Sequence, residues 1–542
     1  MPETKGWGKL SGTPQNAFAE DHAAATIPLP HSLKQKIKDG LVTLSLANLC
    51  FIKVGFDLVN DKGRCFNKLP VTTPMLLALA VNIFWLALLA WLMMQILRRF
   101  SNGLLHLITH LLFFVLLLLP VDFIRLELTR ISDYQIIAFL EQPAVMVCGL
   151  ALLALVVWKH RLIARVAAVT VAVLSPLAVF LFLKITLICL GVVQLKQCGN
   201  QVLLPPPGPV RAGQPRVVWI IFDEMDYRLT FEQRPAGLQL PEFDRLRQQS
   251  LFATSAYPPG DFTLLSMSSL ILGRSFSAVS SEDACDLSVT LADTGATVPA
   301  SGLPSVFSEA RKLGVNTALV GWYLPYDRTY GQALNFCAWA PAPIFEPARS
   351  KTFGDNLWQQ FDSLSETIHL RRMFVDLHRD SLANSLGLVT NSIYGLTLLH
   401  LPVPHKPGIY LPDKDKCTIW GMPKTTGYFN NLMLADHDFG KLRRAMELAG
   451  QWDKTWVILS ADHSWRESGL YDNQRDKRVP YLVKPPGATG TIVYTKEFNT
   501  VLTHDLILAI LRGEITNQKN VADWIDLHAV EIIPKTSPSS NY

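Results

Sequence analysis

The chain has 542 residues, of which 49% are hydrophobic and 18% are charged. That length and apolarity exclude a single ordinary soluble domain. The formal net charge of +5 is small for this length and no run of five basic residues occurs, which argues against nucleic-acid binding.

Hydrophobic residues concentrate before about residue 195, in runs long enough to cross a bilayer. Residues 1–39 predict a polar cytoplasmic tail that lacks the charged start and apolar core of a cleavable signal peptide. Residues 40–195 then predict a transmembrane domain of about five helices. The apolar stretches are roughly 40–58, 73–97, 103–121, 142–158 and 166–193.

Basic residues between the apolar stretches predict the orientation of the chain. They are Lys34, Lys36, Lys38, Arg98, Arg99, Lys159, Arg161 and Arg165. If these positions are cytoplasmic, five crossings leave the amino terminus inside and the carboxyl-terminal half outside the cell membrane. Residues 196–216 include a stretch rich in proline and predict a semi-rigid linker, and residues 531–542 predict a flexible tail.

Residues 217–530 have the pattern of a water-soluble α/β domain, in which apolar strands alternate with amphipathic helices. The predicted strands are 217–222, 317–323, 393–401, 456–461 and 480–484. This alternation predicts a mostly parallel central sheet covered by helices on both faces. Eight cysteines occur without a CxxC motif, so one or two disulfides and unpaired buried thiols both remain open.

Residues suited to a metal-bound phosphate site occur in four short segments of this half, three of them at strand ends. They are Asp223 and Glu224, Thr263, His400 and His405, and Asp462 and His463. Singly, the acidic residues read equally well as turns after strands, and Thr263 as the cap of the helix that follows it. Together they favour function, because the carboxyl ends of parallel strands meet at one edge of a sheet.

Carboxylates and an imidazole from different strands are suitable ligands for a divalent cation. The hydroxyl group of Thr263 is a weak nucleophile, and coordination to a cation would lower its pKa. Its position before a helix-like run adds free backbone N–H groups for an incoming phosphate. The pattern therefore predicts a metal-assisted phosphoryl or sulfuryl transfer site.

Four longer sequence segments resemble those of a known protein family. GVNTALVGWYLP, YFNNLMLADHDFGKLRRAMELAGQWDKTWVILSADHS, DKRVPYLVKPPG and VLTHDLILAILRG follow one another in order. From residue 216 to about 512 the chain resembles the alkaline phosphatase superfamily, on its sulfatase and lipid-headgroup transferase side. The resemblance implies an alkaline-phosphatase-like fold.

The resemblance also implies roles for particular residues. The implied metal ligands are Asp223, Glu224, Thr263, Asp462 and His463. Thr263 matches the nucleophile, and His400 and His405 match histidines that contact the transferred group or hold a second cation. Arg478 lies in the RVP segment, where the resemblance implies a role in substrate binding. A surface ion pair is an equally good interpretation of this arginine.

Two departures from the sulfatase pattern bear on the reaction. Position 263 lacks the cysteine or serine that sulfatases convert to an aldehyde, and Trp322 replaces their lysine. Both argue against sulfate-ester hydrolysis and favour phosphotransfer through threonine. The HKPGIY segment also departs from the transferase pattern, so the transferred headgroup is left open.

Five spans, a threonine nucleophile and the HLPVPH histidines resemble the phosphoethanolamine and phosphoglycerol transferases of bacterial envelopes. This implies a multi-pass inner-membrane enzyme with a periplasmic or extracellular catalytic domain. Its partners would be the membrane, a phospholipid donor and a glycan or lipid acceptor, without nucleic acid. The cofactor would be zinc, with manganese as the alternative. A membrane-anchored phosphodiester or sulfate-ester hydrolase and a catalytically silent lipid-binding or assembly subunit are the competing hypotheses.

Overall fold

A computed structural model describes residues 31–59, 69–97, 103–125, 139–195, 204–280, 286–342 and 352–529, with isolated residues between these ranges. Residues 1–30 of the predicted tail and all of 531–542 lie outside the described residues. Cys198 and Cys285 lie outside them as well. The described cysteines Cys50, Cys148, Cys189, Cys337 and Cys417 are free thiols.

The amino-terminal half consists of helices with apolar sequences. Within the described ranges they are α1 His31–Cys50, α2 Ile52–Val59, α3 Thr73–Leu97, α4 Gly103–Ile124, α5 Pro143–Trp158, α6 His160–Val173 and α7 Ser175–Cys189. Helices α1 and α2 meet at a bend of 64° beside Phe51, and a buried cluster joins α2, α3 and α7.

The prediction of about five transmembrane helices is not confirmed in number. In the described part of the chain, three helices are long and apolar enough to cross a membrane: Thr73–Leu97, Gly103–Ile124 and His160–Cys189. The bent pair α1 and α2 makes a fourth if it counts as one span. Helix α5 has 16 residues, fewer than the roughly 20 that span the hydrocarbon core. Apolar composition alone did not reveal the bend, whereas α5 ends at Trp158 as predicted.

An eight-stranded sheet forms the centre of the carboxyl-terminal half, in the order β14-β2-β13-β12-β1-β9-β7-β8. Its strands are β1 Arg216–Phe222, β2 Leu251–Ala253, β7 Thr317–Trp322, β8 Phe336–Ala340, β9 Leu396–Leu401, β12 Thr455–Ala461, β13 Tyr481–Lys484 and β14 Ile492–Tyr494. Strands β12, β1, β9, β7 and β8 run parallel, and β13 is antiparallel to β12 and β2. The sheet is therefore mostly parallel, as predicted.

The remaining elements surround this sheet. The helices are α8 Pro241–Arg247, α9 Thr263–Leu272, α10 Val306–Lys312, α11 Tyr326–Tyr330, α12 Phe353–Asp362, α13 Glu366–Thr390, α14 Lys424–Leu448, α15 Gly469–Asp472, α16 Thr503–Leu511 and α17 Gln518–His528. The small strands are β3 Ala256–Tyr257, β4 Phe276–Ser280, β5 Ser288–Leu291, β6 Thr297–Pro299, β10 Tyr410–Leu411, β11 Lys416–Cys417 and β15 Phe498–Asn499.

Burial of the central strands explains their sequences. Every residue of β1, β7, β9 and β12 is buried, so both faces of the sheet are covered and neither face needs polar side chains. Strands β1 and β12 pair in parallel with Phe222 opposite Ala461. The residues that follow them, Asp223 and Asp462, therefore emerge side by side from the carboxyl edge of the sheet.

Candidate metal and nucleophile site

Hydrogen bonds from backbone N–H groups to the Asp462 side chain hold the two strand ends together. Asp462 Oδ1 accepts from the backbone N–H of Glu224 at 3.1 Å and from that of His463 at 2.8 Å. Glu224 has a left-handed backbone with φ of 64°, which costs a non-glycine residue on the order of 1 kcal/mol and is most often found at functional sites. The turn after β1 is therefore held in one conformation by the turn after β12.

Three buried side chains form a group that can hold a metal ion. Asp223, Asp462 and His463 each offer one ligand atom, and these atoms lie within 4.8 Å of one another. Asp223 Oδ1 and Asp462 Oδ2 are buried and have no hydrogen-bond partner among the described residues. Buried carboxylate oxygens without partners are costly, and a divalent cation would satisfy both. The donor set fits the predicted cofactor class without separating zinc from manganese.

Thr263 lies beside this group. It is the first residue of α9, after Phe262 in extended conformation. Its Oγ1 lies 3.4 Å from Asp223 Oδ2 and 3.3 Å from His463 Nε2. The hydroxyl of Ser266, one turn further along α9, donates to the backbone carbonyl of Asp462. The helix start and the strand end are thus fixed to each other, with the threonine hydroxyl facing the metal group.

The two predicted histidines approach from β9 and from the loop after it. His400 lies within β9, and its Nε2 is 3.5 Å from Asp223 Oδ2. Its Nδ1 is 2.7 Å from the hydroxyl of Tyr326. His405 is more exposed, and its Nε2 is 4.0 Å from Glu224 Oε2. His400 therefore belongs to the buried wall of the site and His405 to its open side.

The pKa values of the two aspartates move in opposite directions. Burial alone would raise the pKa of Asp223, but the neighbouring imidazoles of His405, His400 and His463 outweigh it and lower the pKa to about 2. Burial and the adjacent Asp223 raise the pKa of Asp462. Two carboxyl groups this close repel each other as anions, and a cation between them would remove that repulsion.

Glu224 lies next to the metal group but pairs with a residue that the sequence analysis missed. Its Oε1 accepts from Arg466 Nε at 2.8 Å. The Arg466 guanidinium lies 5.4 Å from the centre of the Phe262 ring, and its side chain is 33% exposed. A cation on the open side of the site is available to a charged substrate. Its position three residues after His463 is the signal that could have revealed it.

Arg478, predicted to bind substrate, is engaged elsewhere. It forms ion pairs with Glu232 and Asp476, and its Nη1 donates to the carbonyl of Thr254 at 3.0 Å. None of its contacts among the described residues involves another predicted site residue. The geometry favours the ion-pair alternative for this arginine.

Two aromatic residues complete the wall behind the histidines. Tyr326 is fully buried and contacts His400 through its hydroxyl. The Trp322 ring lies 5.3 Å from that of His405 and 6.2 Å from that of His400. The sequence showed Trp322 only as a departure from the sulfatase lysine. Its apolar ring fixes both imidazoles from the side of β7.

Comparison with known proteins addresses the family. The sulfatase family model matches residues 215–512. No curated protein matches the chain. The chain is similar in structure to the sulfatase PsFucS1 from Pseudoalteromonas sp., with 13% identity, a TM-score of 0.40 and coverage of 55% of this chain and 68% of that one.

Two further solved structures are similar to the chain. One is the phosphonate monoester hydrolase of Agrobacterium radiobacter, with 12% identity, a TM-score of 0.36 and coverage of 55% of this chain and 74% of that one. The other is a protein in the alkaline phosphatase superfamily from Vibrio parahaemolyticus, with 13% identity, a TM-score of 0.36 and coverage of 58% and 71%. The match to the sulfatase family model confirms the predicted superfamily. Since the family model matches more than half of its residues, the chain belongs to the sulfatase family within the alkaline phosphatase superfamily.

Proposed function

We propose that the protein is a metal-dependent transferase that moves a phosphorylated headgroup from a phospholipid to an envelope glycan or lipid. Family membership supports phosphoryl or sulfuryl transfer or hydrolysis. The observation that carries the finer proposal is the Thr263 hydroxyl, at the start of a helix and 3.3 Å from His463 Nε2. A threonine cannot form the aldehyde that sulfate-ester hydrolysis by the sulfatase route requires.

In the first step, Thr263 Oγ1 attacks the phosphorus of the donor lipid. A bond forms between Oγ1 and phosphorus, and the bond from phosphorus to the diacylglycerol oxygen breaks. The threonine proton is lost and a proton is delivered to the diacylglycerol oxygen. In the second step, the acceptor hydroxyl displaces Thr263 from the phosphothreonine diester. When bound, a zinc or manganese ion would lower the pKa of the hydroxyl and neutralise charge on the phosphoryl oxygens.

The chain's own residues supply the remaining charge stabilisation. Backbone N–H groups in the first turn of α9 have no partner within the helix and face the site where the phosphoryl oxygens would lie. Arg466 adds a cation on the open side of the site. His405, partly exposed and beside Glu224, is placed to donate the proton to the leaving oxygen. His400, fully buried, is placed to stabilise the transferred group.

The membrane half supports the proposed location. The proposal is a multi-pass protein of the bacterial inner membrane, with the amino terminus in the cytoplasm and the catalytic domain in the periplasm or outside the cell. Lys34, Lys36 and Lys38 in the first turns of α1 are the basic residues that favour this orientation. The apolar helices that follow supply the anchor, and the proposal requires an odd number of membrane crossings, so that the two ends of the chain lie on opposite sides.

Mass analysis of the full-length protein tests the proposal. The protein, in detergent with zinc or manganese, is incubated with a headgroup-labelled phospholipid, digested and analysed for a mass added to the Thr263 peptide. Thr263→Ala is the test variant and Thr254→Ala, on a neighbouring segment, is the control. We expect the added mass and the release of diacylglycerol in the control but not in Thr263→Ala.

The acceptor distinguishes the remaining hypotheses. Hydrolysis uses the same site with water in the second step, and it predicts free headgroup in reactions without any glycan or lipid acceptor. Transfer predicts that headgroup accumulates on the protein until an acceptor is added. If Thr263→Ala releases diacylglycerol at the rate of the unchanged protein, Thr263 is not the nucleophile. If the unchanged protein releases none with zinc or manganese present, the silent-subunit hypothesis gains.

A further inference from the structure

Helix α12, Phe353–Asp362, buries two amide side chains and exposes three large apolar ones, with the exposed Asp355 in its first turn. Its amides Asn356 and Gln360 are fully buried. Its large apolar side chains are exposed: Phe353 by 41%, Trp358 by 64% and Phe361 by 49%. Amphipathic helices in water bury the apolar stripe and expose the polar one. A helix that hides amides and exposes aromatic rings is suited to an apolar solvent.

The buried side of α12 contacts a membrane-spanning helix. Gln360 Nε2 donates to the carbonyl of Met75 at 2.9 Å. Asn82 Nδ2 donates to Gln360 Oε1 at 3.2 Å and to the carbonyl of Leu357 at 3.1 Å. Hydrogen bonds between side-chain amides are a recurrent way of joining helices within a bilayer. The catalytic domain thus contacts the anchor through α12.

The hydrogen bonds between α12 and α3 indicate how deep α12 lies relative to the bilayer. Met75 and Asn82 lie on α3, which begins at Thr73. Asn82 is about 13 Å along the axis from Thr73 at roughly 1.5 Å per residue, and the hydrocarbon core is about 30 Å thick. A helix bonded to both residues therefore lies at or below the level of the lipid headgroups. The Phe361 ring also lies 6.4 Å from that of Phe51, in the bend between α1 and α2.

We propose that α12 is an interfacial helix that lies in the bilayer leaflet facing the catalytic domain, with Trp358 and Phe361 between the lipids. The partner is the phospholipid bilayer itself. Tryptophan and phenylalanine at the headgroup boundary are typical anchors of such helices. The inference deepens the proposed function, because it would let the enzyme take its donor from the leaflet in which α12 lies.

A short path connects α12 to the site. After residues 363–365 the chain continues as α13, whose Arg371 Nη1 donates to the carbonyl of Gly408 at 2.7 Å. Gly408 follows His405 in the same loop. Phe374, also on α13, has its ring 6.5 Å from that of His405. Membrane contact at α12 therefore sets the position of the helix that supports the loop carrying His405.

Photocrosslinking tests the location of α12 without depending on activity. The full-length protein is placed in phosphatidylethanolamine and phosphatidylglycerol nanodiscs with alkyne-tagged acyl chains. The photoreactive residue p-benzoylphenylalanine replaces Trp358, Val115 or Leu448. Val115 is 57% exposed on α4 and serves as the membrane reference, and Leu448 is 91% exposed at the end of α14 and serves as the aqueous reference.

We expect lipid adducts at position 358 at a level within about twofold of that at 115, and at least about tenfold above that at 448, since only a side chain in contact with acyl chains captures them. Adduct formation at 358 as low as at 448 would overturn the proposal. Equal melting temperatures of the three proteins establish that each is folded. Because this result does not involve Thr263 chemistry, it stands or fails separately from the proposed function.

Kinetics test the consequence for the substrate. Trp358→Ser is compared with Leu448→Ser on a phospholipid donor in vesicles and on a water-soluble p-nitrophenyl phosphodiester. We expect Trp358→Ser to raise the apparent KM for the vesicle donor by about fivefold or more through weakened interfacial contact, with unchanged rates on the soluble diester. Equal losses on both substrates would show that Trp358 acts on the fold instead of on the membrane, and would contradict the proposal.

Discussion

Tyr326 lies behind the site and acts on it through another residue. Its hydroxyl is the partner of His400 Nδ1 at 2.7 Å, and His400 Nε2 faces Asp223. A hydrogen bond to one imidazole nitrogen fixes which nitrogen carries the proton and how the ring is turned. Tyr326 is therefore a positioning residue, and its removal deletes no group that touches the substrate.

We expect Tyr326→Phe to lower kcat by roughly tenfold while leaving KM within about twofold, as for other residues that orient a functional imidazole. Tyr330→Phe is the matched control, because the Tyr330 hydroxyl is buried nearby without a hydrogen-bond partner among the described residues. Steady-state kinetics on a soluble diester measure both. A loss of similar size in Tyr330→Phe would attribute the effect to packing and contradict the positioning role.

The residues that the sequence could predict differ physically from those that it could not. Asp223 and Asp462 follow long apolar strands, so their place at the sheet edge was predictable from the chain order alone. Tyr326 and Arg466 reach the site from a short helix and a loop, and their contacts depend on how those segments fold back. For Arg478 the sequence left substrate binding and an ion pair equally open, because both roles need the same charged side chain, and its contacts with Glu232 and Asp476 favour the ion pair.

Helices α13 and α14 form the next level of organisation, since together they support the loop that carries His405. Asn431 of α14 donates to the carbonyl of His405 at 3.0 Å, and Arg371 of α13 donates to that of Gly408. A buried pair joins the two helices: His378 Nε2 lies 2.5 Å from Asp438 Oδ2. This contact joins the two helices that hold the loop carrying His405.

The pair makes the stability of the domain dependent on pH. Burial alone would lower the pKa of His378, but the hydrogen bonds to Asp438 and Cys417 outweigh it and raise the pKa from 6.5 to about 9. A histidine whose pKa is raised by folding stabilises the folded state when it is protonated. This contribution is complete below about pH 6.5 and is lost as the pH rises through about 9. The shift corresponds to on the order of 3 kcal/mol.

We expect His378→Gln to lower the melting temperature by several degrees at about pH 6 and by much less at about pH 10, where the histidine of the unchanged protein is neutral. Thermal unfolding of the full-length protein in detergent, followed by near-ultraviolet circular dichroism at both pH values, measures the difference. A difference between the two proteins that stays constant across this range would show that the charge of His378 does not contribute.

The elements of the soluble half were more predictable than their attachment to the membrane half. Continuous apolar runs such as VVWIIF mark buried parallel strands, and the structure extends this strand by a single residue to Arg216. Helix α12 was not predicted, because its aromatic residues are spaced among polar ones in a stretch without strong periodicity. Its place is determined by Met75 and Asn82, far away in the chain.

At the scale of the whole molecule, the sulfatase-family domain combines a rigid sheet with a site in which a cation would neutralise two adjacent buried carboxyl groups. The trio of Asp223, Asp462 and His463 brings two neighbouring carboxyl groups into the interior. A buried charge without a partner destabilises the folded state, even where the backbone hydrogen bonds around it remain. Metal binding should therefore raise the stability of the whole domain as well as enable its chemistry.

A ligand present at about 100 times its dissociation constant stabilises the folded state by about 2.7 kcal/mol, which corresponds to a rise in melting temperature of roughly 5 °C for a domain of this size. We expect this rise on adding zinc or manganese to chelator-treated protein, and none in Asp462→Asn.

In chelator, Asp462→Asn should melt above the unchanged protein, because it removes a buried anion beside Asp223 while an amide oxygen still accepts the backbone N–H groups of Glu224 and His463. Asp436→Asn is the control, since Asp436 is a buried carboxyl that accepts from the N–H of Phe243 outside the site. A metal-induced rise of equal size in Asp462→Asn would show that the cation binds without Asp462, and the predicted ligand set would be wrong.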